Sequence, residues 1–128
     1  MPQKAKDIVN LYAKTKAALL EGKTPTKFTV DHLLNEGCFV EHTTDSVGNL
    51  NWLFVSYPQL VANYKESPDV LLMDCTYKTN RYKMPLLQLA GLNQFNQTVP
   101  LALCFLPGEA EPDFTRTLEA LKRLFEKY

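Results

Sequence analysis

The sequence lacks an excess of charge of either sign. It has 14 lysines and arginines against 14 aspartates and glutamates, so its formal net charge is zero at pH 7. An overall electrostatic attraction to nucleic acid is therefore excluded, and any DNA contact must come from a local basic patch. The length of 128 residues fits one domain, and the hydrophobic content of 45% is that of a globular protein rather than a disordered one.

Cysteine and long apolar runs are also scarce. Cys38, Cys75 and Cys104 lie far apart and form no Cys-x-x-Cys pair, which excludes a zinc finger. Their odd number and apolar neighbours favour reduced, buried thiols in an intracellular protein. There is no signal peptide, and no apolar run approaches the ~18 residues of a membrane span, so no membrane partner is predicted. His32 and His42 have no partners at ligand spacing and are interpreted as surface or half-buried histidines.

The first 68 residues predict helices and a hairpin. Apolar residues on one face and lysines on the other predict a helix over Lys4–Glu21, whose lysines are interpreted as a solvated face rather than a DNA contact. A second helix is predicted over Thr26–Glu36, a hairpin from Cys38–Thr44 and Leu50–Tyr57, and a third helix over Pro58–Glu66. In the hairpin, the alternating aromatics favour a packed face over base stacking: Trp52, Phe54 and Tyr57.

The next stretch begins with four consecutive apolar residues, Val70 to Met73, and Asp74 follows directly. So short a run fits a strand that is buried on both faces better than a helix. A carboxylate at the end of such a strand is costly to desolvate unless something pairs with it. From the residues alone, Asp74 either caps the next turn or binds a cation.

Two more strands and a helix complete the chain. Strands are predicted over Pro85–Asn93 and Thr98–Leu106, and Pro100, which cannot donate a ladder hydrogen bond, places the second of them at a sheet edge. Pro112 opens the last helix. Its i, i+4 pair is Glu119 and Arg123, and the stripe expected to pack on the sheet is Phe114, Leu118, Leu121 and Phe125.

The run that starts at Asp74, Asp-x-Thr-Tyr-Lys-Thr-Asn-Arg-Tyr-x-Met-Pro-Leu-Leu, resembles the signature of the Mutator-like element (MULE) transposase domain. The resemblance continues through Leu89–Leu92, Val99–Leu106 and Glu109, and it covers Trp52–Tyr128 well. It implies an RNase H-like fold with a DDE active site that uses Mg²⁺ or Mn²⁺ in the complete domain. Asp74 would then be the first of three metal-binding, catalytic carboxylates.

The resemblance also implies an architecture. The expected class is α+β: a partial RNase H-like domain over residues 69–128, made of a three-stranded antiparallel meander and a helix. A lead-in of helices and a β-hairpin over residues 1–68 precedes it. In that fold the first strand is central, and its second neighbour would follow Tyr128. Val70–Met73 is therefore expected to present an unpaired apolar edge, which is an aggregation hazard or a docking surface.

The other two carboxylates of the family would also follow Tyr128, so the chain is expected to be a fragment that is inactive alone. Glu109 is a weak second metal candidate. If the three strands form a meander, the ends of the first and third lie two strands apart, ~10 Å, which is too far for Glu109 and Asp74 to share a metal. A capping or solvated role for Glu109 is the alternative.

Basic and amide residues follow Asp74 in the segment 78–83. Its candidate DNA contacts are Lys78, Asn80, Arg81 and Lys83, although a solvated hairpin loop fits the composition equally well. The leading function is part of a transposase catalytic domain that acts on transposon ends in the nucleus. The alternative is a domesticated, non-catalytic DNA- or protein-interaction module, and a plain α+β domain with a coincidental motif is a third. A homo-oligomer is open, and no small-molecule cofactor is expected.

Overall fold

The computed structural model describes residues 26–48, 50–76 and 84–128. The predicted helix Lys4–Glu21 and the segment 77–83 lie outside these residues. The described elements follow the chain in this order: α1 Thr26–Asn35, β1 Phe39–Thr44, β2 Leu50–Ser56, α2 Pro58–Lys65, β3 Leu72–Thr76, β4 Leu86–Leu92, β5 Thr98–Phe105 and α3 Glu111–Lys127. The class is α+β, and the predicted ends of these elements differ from the observed ones by at most two residues, except that β3 runs to Thr76, three residues beyond the apolar run Val70–Met73.

Three local devices set the helix ends. Gly37 takes a φ of +82°, and its N–H donates to the carbonyl of Leu34 at 3.0 Å, which closes α1 in a turn that favours glycine. Pro58 occupies the first turn of α2, where its missing N–H costs nothing. At the start of α3, the Asp113 carboxylate accepts a hydrogen bond of 3.1 Å from the N–H of Ala110.

The strands form one antiparallel sheet in the order β1-β2-β5-β4-β3. The predicted meander is β3-β4-β5. The predicted hairpin, β1-β2, is joined to it because β2 pairs with β5 from Leu53↔Phe105 to Ser56↔Ala102. The prediction that the Pro100 strand is an edge strand was wrong, since β5 lies in the middle. Pro100 is tolerated because the pairing with β2 stops at Ala102, so the first residues of β5 have a neighbour on one side only.

Helices cover both faces of the sheet. On the first, called the α1 face, Val30 and Leu33 of α1 pack with Leu53, Val55, Leu86, Leu103 and Phe105. On the second, called the α3 face, helix α3 packs on Trp52, Phe54, Leu87, Leu89 and Cys104. Trp52, Phe54 and Tyr57 are 2%, 0% and 3% exposed, which confirms that the hairpin aromatics are packed in the core, although Tyr57 lies on the α1 face and the other two on the α3 face.

Helix α3 is rotated slightly from the predicted orientation. Its buried residues are Thr117, Ala120, Leu121 and Leu124. Leu118 is 45% exposed, so its predicted place against the sheet was wrong. Thr117 and Ala120 are both fully buried between the helix and the sheet, whereas the larger Leu118 lies beside this face.

Candidate functional site

Strand β3 positions Asp74, the residue singled out as the first metal ligand. Asp74 pairs with Gln88 of β4, and its side chain is exposed. Pairing continues from Gln88 to Leu103 and from there to Val55, which both lie on the α1 face. Because side chains in register share a face, Asp74 also belongs to the α1 face.

The apolar residues before Asp74 are not buried, which corrects the prediction of a strand covered on both faces. Val70, Leu71, Leu72 and Met73 are 37%, 36%, 39% and 43% exposed. The physical reason is the position of β3 at the end of the sheet, where β4 is its one strand neighbour among the described residues. Within the part of the chain that the structure describes, β3 thus presents an apolar edge, as expected.

Glu109, the second metal candidate, contacts β3 at Cys75 and not at Asp74. The Cys75 thiol donates a hydrogen bond of 3.3 Å to Glu109 Oε1. Cys75 pairs with Leu87, and it packs with the cluster on the α3 face. Burial raises the pKa of the Cys75 thiol to about 11, and the hydrogen bond and negative charge of Glu109 add to this effect. Glu109 therefore stabilises the protonated thiol.

This contact separates the two candidate carboxylates. Successive residues of a strand point to opposite faces, so Asp74 and the Cys75–Glu109 pair lie on different sides of the sheet. Within residues 26–48, 50–76 and 84–128, no group of three or more His, Cys, Asp or Glu side chains could hold a metal ion. Asp74 is therefore not part of a cluster of metal ligands among the described residues. One carboxylate does not by itself fit a site for two divalent ions.

The candidate DNA contacts Lys78, Asn80, Arg81 and Lys83 lie outside the described residues. The strands that flank them are in register, since Thr76 pairs with Leu86. The last residue of β3 and the first residue of β4 thus lie side by side at the end of β3 that follows Asp74.

The remaining candidates are structural or exposed. His32 and His42 are both exposed, as expected of surface histidines. Cys38 and Cys104 are buried free thiols, as expected, whereas Cys75 is only half-buried. None of the described helices combines the length and apolar character needed to span a membrane.

Sequence reasoning missed the pairing of Cys75 with Glu109, which are 34 positions apart. The predicted meander could have indicated this contact, because its first and third strands run in the same direction and therefore end at the same end of the sheet. The spacing argument placed the two strands ~10 Å apart, but Glu109 comes four residues after the last residue of β5, Phe105, and its carboxylate lies within 3.3 Å of Cys75.

Comparison with known proteins bears on the segment that contains this site. Residues 70–128, somewhat less than half of the chain, match the family model of the MULE transposase domain. Protein FAR1-RELATED SEQUENCE 5 of Arabidopsis thaliana is 30% identical over 69 residues, which are 54% of this chain and 8% of that protein. No solved structure matches significantly. The resemblance that begins at Asp74 is thereby confirmed: residues 70–128 are similar to the MULE transposase domain, and this similarity supports a relationship to transposases.

Proposed function

We propose that this chain forms part of the catalytic domain of a Mutator-like DNA transposase, with Asp74 as its first metal-binding carboxylate. The observation that carries the proposal is the exposure of Asp74 on β3, inside the segment 70–128 that matches the family model. The RNase H-like identity of the domain is part of the same proposal. So are DNA as the partner and the nucleus as the compartment.

In such a domain, two Mg²⁺ or Mn²⁺ ions, when bound, activate the attacking oxygen and stabilise the leaving oxygen of the phosphodiester. Both ions prefer hard oxygen ligands, and an exposed carboxylate meets that requirement. Asp74 is one such ligand. Further ligands would have to come from outside the described residues, since Glu109 lies on the opposite face with Cys75.

The basic segment after β3 has a complementary role in this proposal. Lys78, Arg81 and Lys83 would contact phosphates, and Asn80 would donate hydrogen bonds to the backbone or bases. The position supports the assignment, because the segment follows Asp74 by a few residues and starts where β3 ends at Thr76. A chain with zero net charge depends on such a local cluster for DNA affinity.

Metal binding can be tested on the 128-residue chain by Mn²⁺ titration of the ¹⁵N-labelled protein. Paramagnetic broadening should centre on β3 and disappear in Asp74→Asn. Asp69→Asn is the matched control, because Asp69 is also exposed and precedes the same strand. DNA cleavage by the complete gene product should be abolished by Asp74→Asn and retained by Asp69→Asn. Equal cleavage by all three proteins would refute the catalytic role of Asp74.

The second candidate is a non-catalytic DNA- or protein-interaction module derived from a transposase. The engagement of Glu109 with the Cys75 thiol favours it, because that carboxylate serves the packing of β3 rather than a metal. In this case the complete gene product would bind DNA without divalent metal and cleave none. Combined Lys78→Ala and Arg81→Ala substitutions would then weaken DNA binding, whereas Asp74→Asn would leave it unchanged.

A further inference from the structure

The turn between β4 and β5, residues 93–97, carries an aromatic ring that the core does not use. Phe95 is 72% exposed, whereas Trp52 and Phe54 in the β1–β2 hairpin are almost fully buried. The ring contributes little to the stability of the fold, because it remains in contact with water. Its apolar faces are therefore available to a second molecule.

Hydrogen bonds within the turn hold the backbone that carries this ring. Asn93 Oδ1 accepts from the N–H of Phe95 at 2.8 Å and from the N–H of Gln97 at 3.0 Å. Asn93 Nδ2 donates to Gln97 Oε1 at 3.0 Å. Asn96 has a φ of +59°, a left-handed conformation that asparagine tolerates better than most residues. Because the turn is already ordered, binding at the ring costs little conformational entropy.

Two exposed amide side chains flank the ring in sequence, those of Gln94 and Asn96. In the part of the chain that the structure describes, these two amides make no hydrogen bond, unlike those of Asn93 and Gln97. Each amide offers a donor and an acceptor, and the edge of a nucleobase presents the same two kinds of group. An aromatic ring between two such amides has the chemistry of a contact with a base.

The surroundings of Phe95 favour a base over a protein partner. Residues 84–107 include no Asp, Glu, Lys or Arg, so no carboxylate of this hairpin repels a phosphate backbone. A protein interface of ordinary size buries about 800 Å² on each partner. Here the turn offers one exposed ring among polar residues, from Gln94 to Thr98, which matches the size of a single base.

We propose that the β4–β5 turn binds an unpaired nucleobase of DNA, which stacks on the ring of Phe95 and receives hydrogen bonds from Gln94 and Asn96. Stacking on an aromatic side chain is the usual way in which proteins hold an unpaired base. The inference rests on DNA as the partner in the proposed function. It needs neither a metal ion nor Asp74.

The turn is separate from the end of β3 that follows Asp74. Gln88 pairs with Asp74, and Leu92 lies four residues further along β4, ~14 Å away. The turn begins after Leu92, at the opposite end of β4 from Leu86. The base contact is therefore distinct from the phosphate contacts proposed for the basic segment 78–83, and the two can be removed independently.

The test is a titration of the 128-residue chain into a single-stranded DNA oligonucleotide that contains 2-aminopurine, in the absence of divalent metal. Stacking on Phe95 should quench the fluorescence in a saturable way. Phe95→Ala and Phe95→Leu should each weaken binding at least ~5-fold, because neither has a ring, whereas Phe95→Tyr should bind like the wild type. Val47→Ala is the matched control, because Val47 is 78% exposed in the β1–β2 turn, and it should leave the affinity unchanged. Circular dichroism confirms that each variant is folded.

A second pair of substitutions tests the amides. Gln94→Ala combined with Asn96→Gly should weaken binding several-fold, and glycine retains the positive φ of position 96. Retention of full affinity by Phe95→Leu would show that the side chain is a general apolar anchor, as for a protein partner, and would overturn the base contact. Tighter binding of RNA of the same sequence would overturn DNA as the source of the base.

Salt dependence separates this inference from the proposed function. Lys78→Ala with Arg81→Ala should reduce the slope of log affinity against log salt concentration, because two phosphate contacts are lost. Phe95→Ala should lower the affinity at every salt concentration with the slope unchanged. Equal affinity of the wild type and Phe95→Ala, with an intact slope, would overturn this inference and leave the proposed basic contact standing. Absence of binding by the wild type would contradict both.

Discussion

Arg123 of α3 binds Glu41 of β1 through two parallel hydrogen bonds, Nε to Oε2 at 2.8 Å and Nη2 to Oε1 at 2.6 Å. The predicted partner of Arg123 was Glu119, one helical turn away. The observed pair spans 82 positions instead and fixes the last turns of α3 to an edge strand. A planar guanidinium matches a carboxylate in this geometry better than a lysine would.

Glu41→Gln should lower the free energy of unfolding by about 0.5–1 kcal/mol, because the pair is partly exposed and solvent screens it. The loss should shrink in 1 M salt, where the wild-type pair is itself screened. Urea denaturation at low and high salt measures both effects. Asp31→Asn removes an exposed carboxylate from α1, away from Arg123, and serves as the control. Identical losses in the two variants would contradict a specific role for the pair.

Gly91 is required by the ring of Tyr64. A Cβ added at this position would lie 2.6 Å from both Cδ1 and Cε1 of Tyr64. That ring is buried and stacked on Phe125, with centroids 5.6 Å apart, so it has little freedom to move. Gly91→Ala should therefore cost about 1–3 kcal/mol of stability in urea denaturation.

A double-mutant cycle separates this clash from the intrinsic effect of alanine in a strand. In the Tyr64→Ala background the clash is gone, and Gly91→Ala should then be nearly neutral. An equal cost in both backgrounds would mean that Tyr64 is not the obstacle.

The elements could be predicted because their signals are local. Gly37, Pro58 and Pro112 act on their own helix ends, and the apolar residues of each strand lie next to each other in sequence. The order of the strands could not be predicted in the same way. Pro100 shows that one N–H of β5 cannot donate a hydrogen bond to a neighbouring strand. It gives no information about the other half of β5, which pairs with β2 from Ala102 onward.

The features of the candidate site can likewise be divided into those set by neighbouring residues in the sequence and those set by the fold. The position of Asp74 after an apolar run is a local feature and was found from the sequence. The face on which Asp74 lies, and the engagement of Glu109 with Cys75, depend on register and on the path of the chain after β5. The burial of Thr117 and Ala120 in place of Leu118 likewise depends on which face of α3 meets the sheet, and the hydrophobicity of single residues does not determine this.

Thr117 provides a buried hydroxyl between the helix and the sheet. Its Oγ1 accepts a hydrogen bond from Trp52 Nε1 at 3.4 Å, contacts Cys104 Sγ at 3.3 Å and donates to the carbonyl of Asp113 at 3.0 Å. Thr117→Val keeps the shape but leaves the buried Trp52 N–H without this acceptor, so it should cost about 1–3 kcal/mol. Thr117→Ser should recover part of the loss.

Trp52 is the single tryptophan, so its fluorescence reports this site directly. The emission of Thr117→Val should change in the folded state, and that of Thr117→Ser should resemble the wild type. Unchanged stability and emission in Thr117→Val would show that the hydroxyl is not part of the packing.

The pair of Cys75 and Glu109 makes a prediction about pH. Burial raises the pKa of the Cys75 thiol from 9.0 to about 11, with contributions from the hydrogen bond and charge of Glu109. Between these values the unfolded chain has lost the thiol proton while the folded chain retains it. The folded state then binds more protons, so stability should fall as pH rises from about 9 to about 11. Cys75→Ser should show a smaller fall, although Cys38 and Cys104, whose pKa values burial raises to about 11 and about 12, still contribute.

The rate of alkylation of Cys75 measures how far Glu109 raises the pKa of this thiol. The thiolate is the reactive form, so Cys75 should react slowly with iodoacetamide in the folded protein at pH 8. Glu109→Gln removes the negative charge, which lowers the pKa of Cys75 towards its ordinary value and should speed the reaction several-fold, as followed by mass spectrometry of the peptide that contains Cys75. Glu111→Gln removes an exposed carboxylate two residues away and should leave the rate unchanged. If both variants react at the wild-type rate, Glu109 does not stabilise the thiol, and its carboxylate becomes available for another role beside β3.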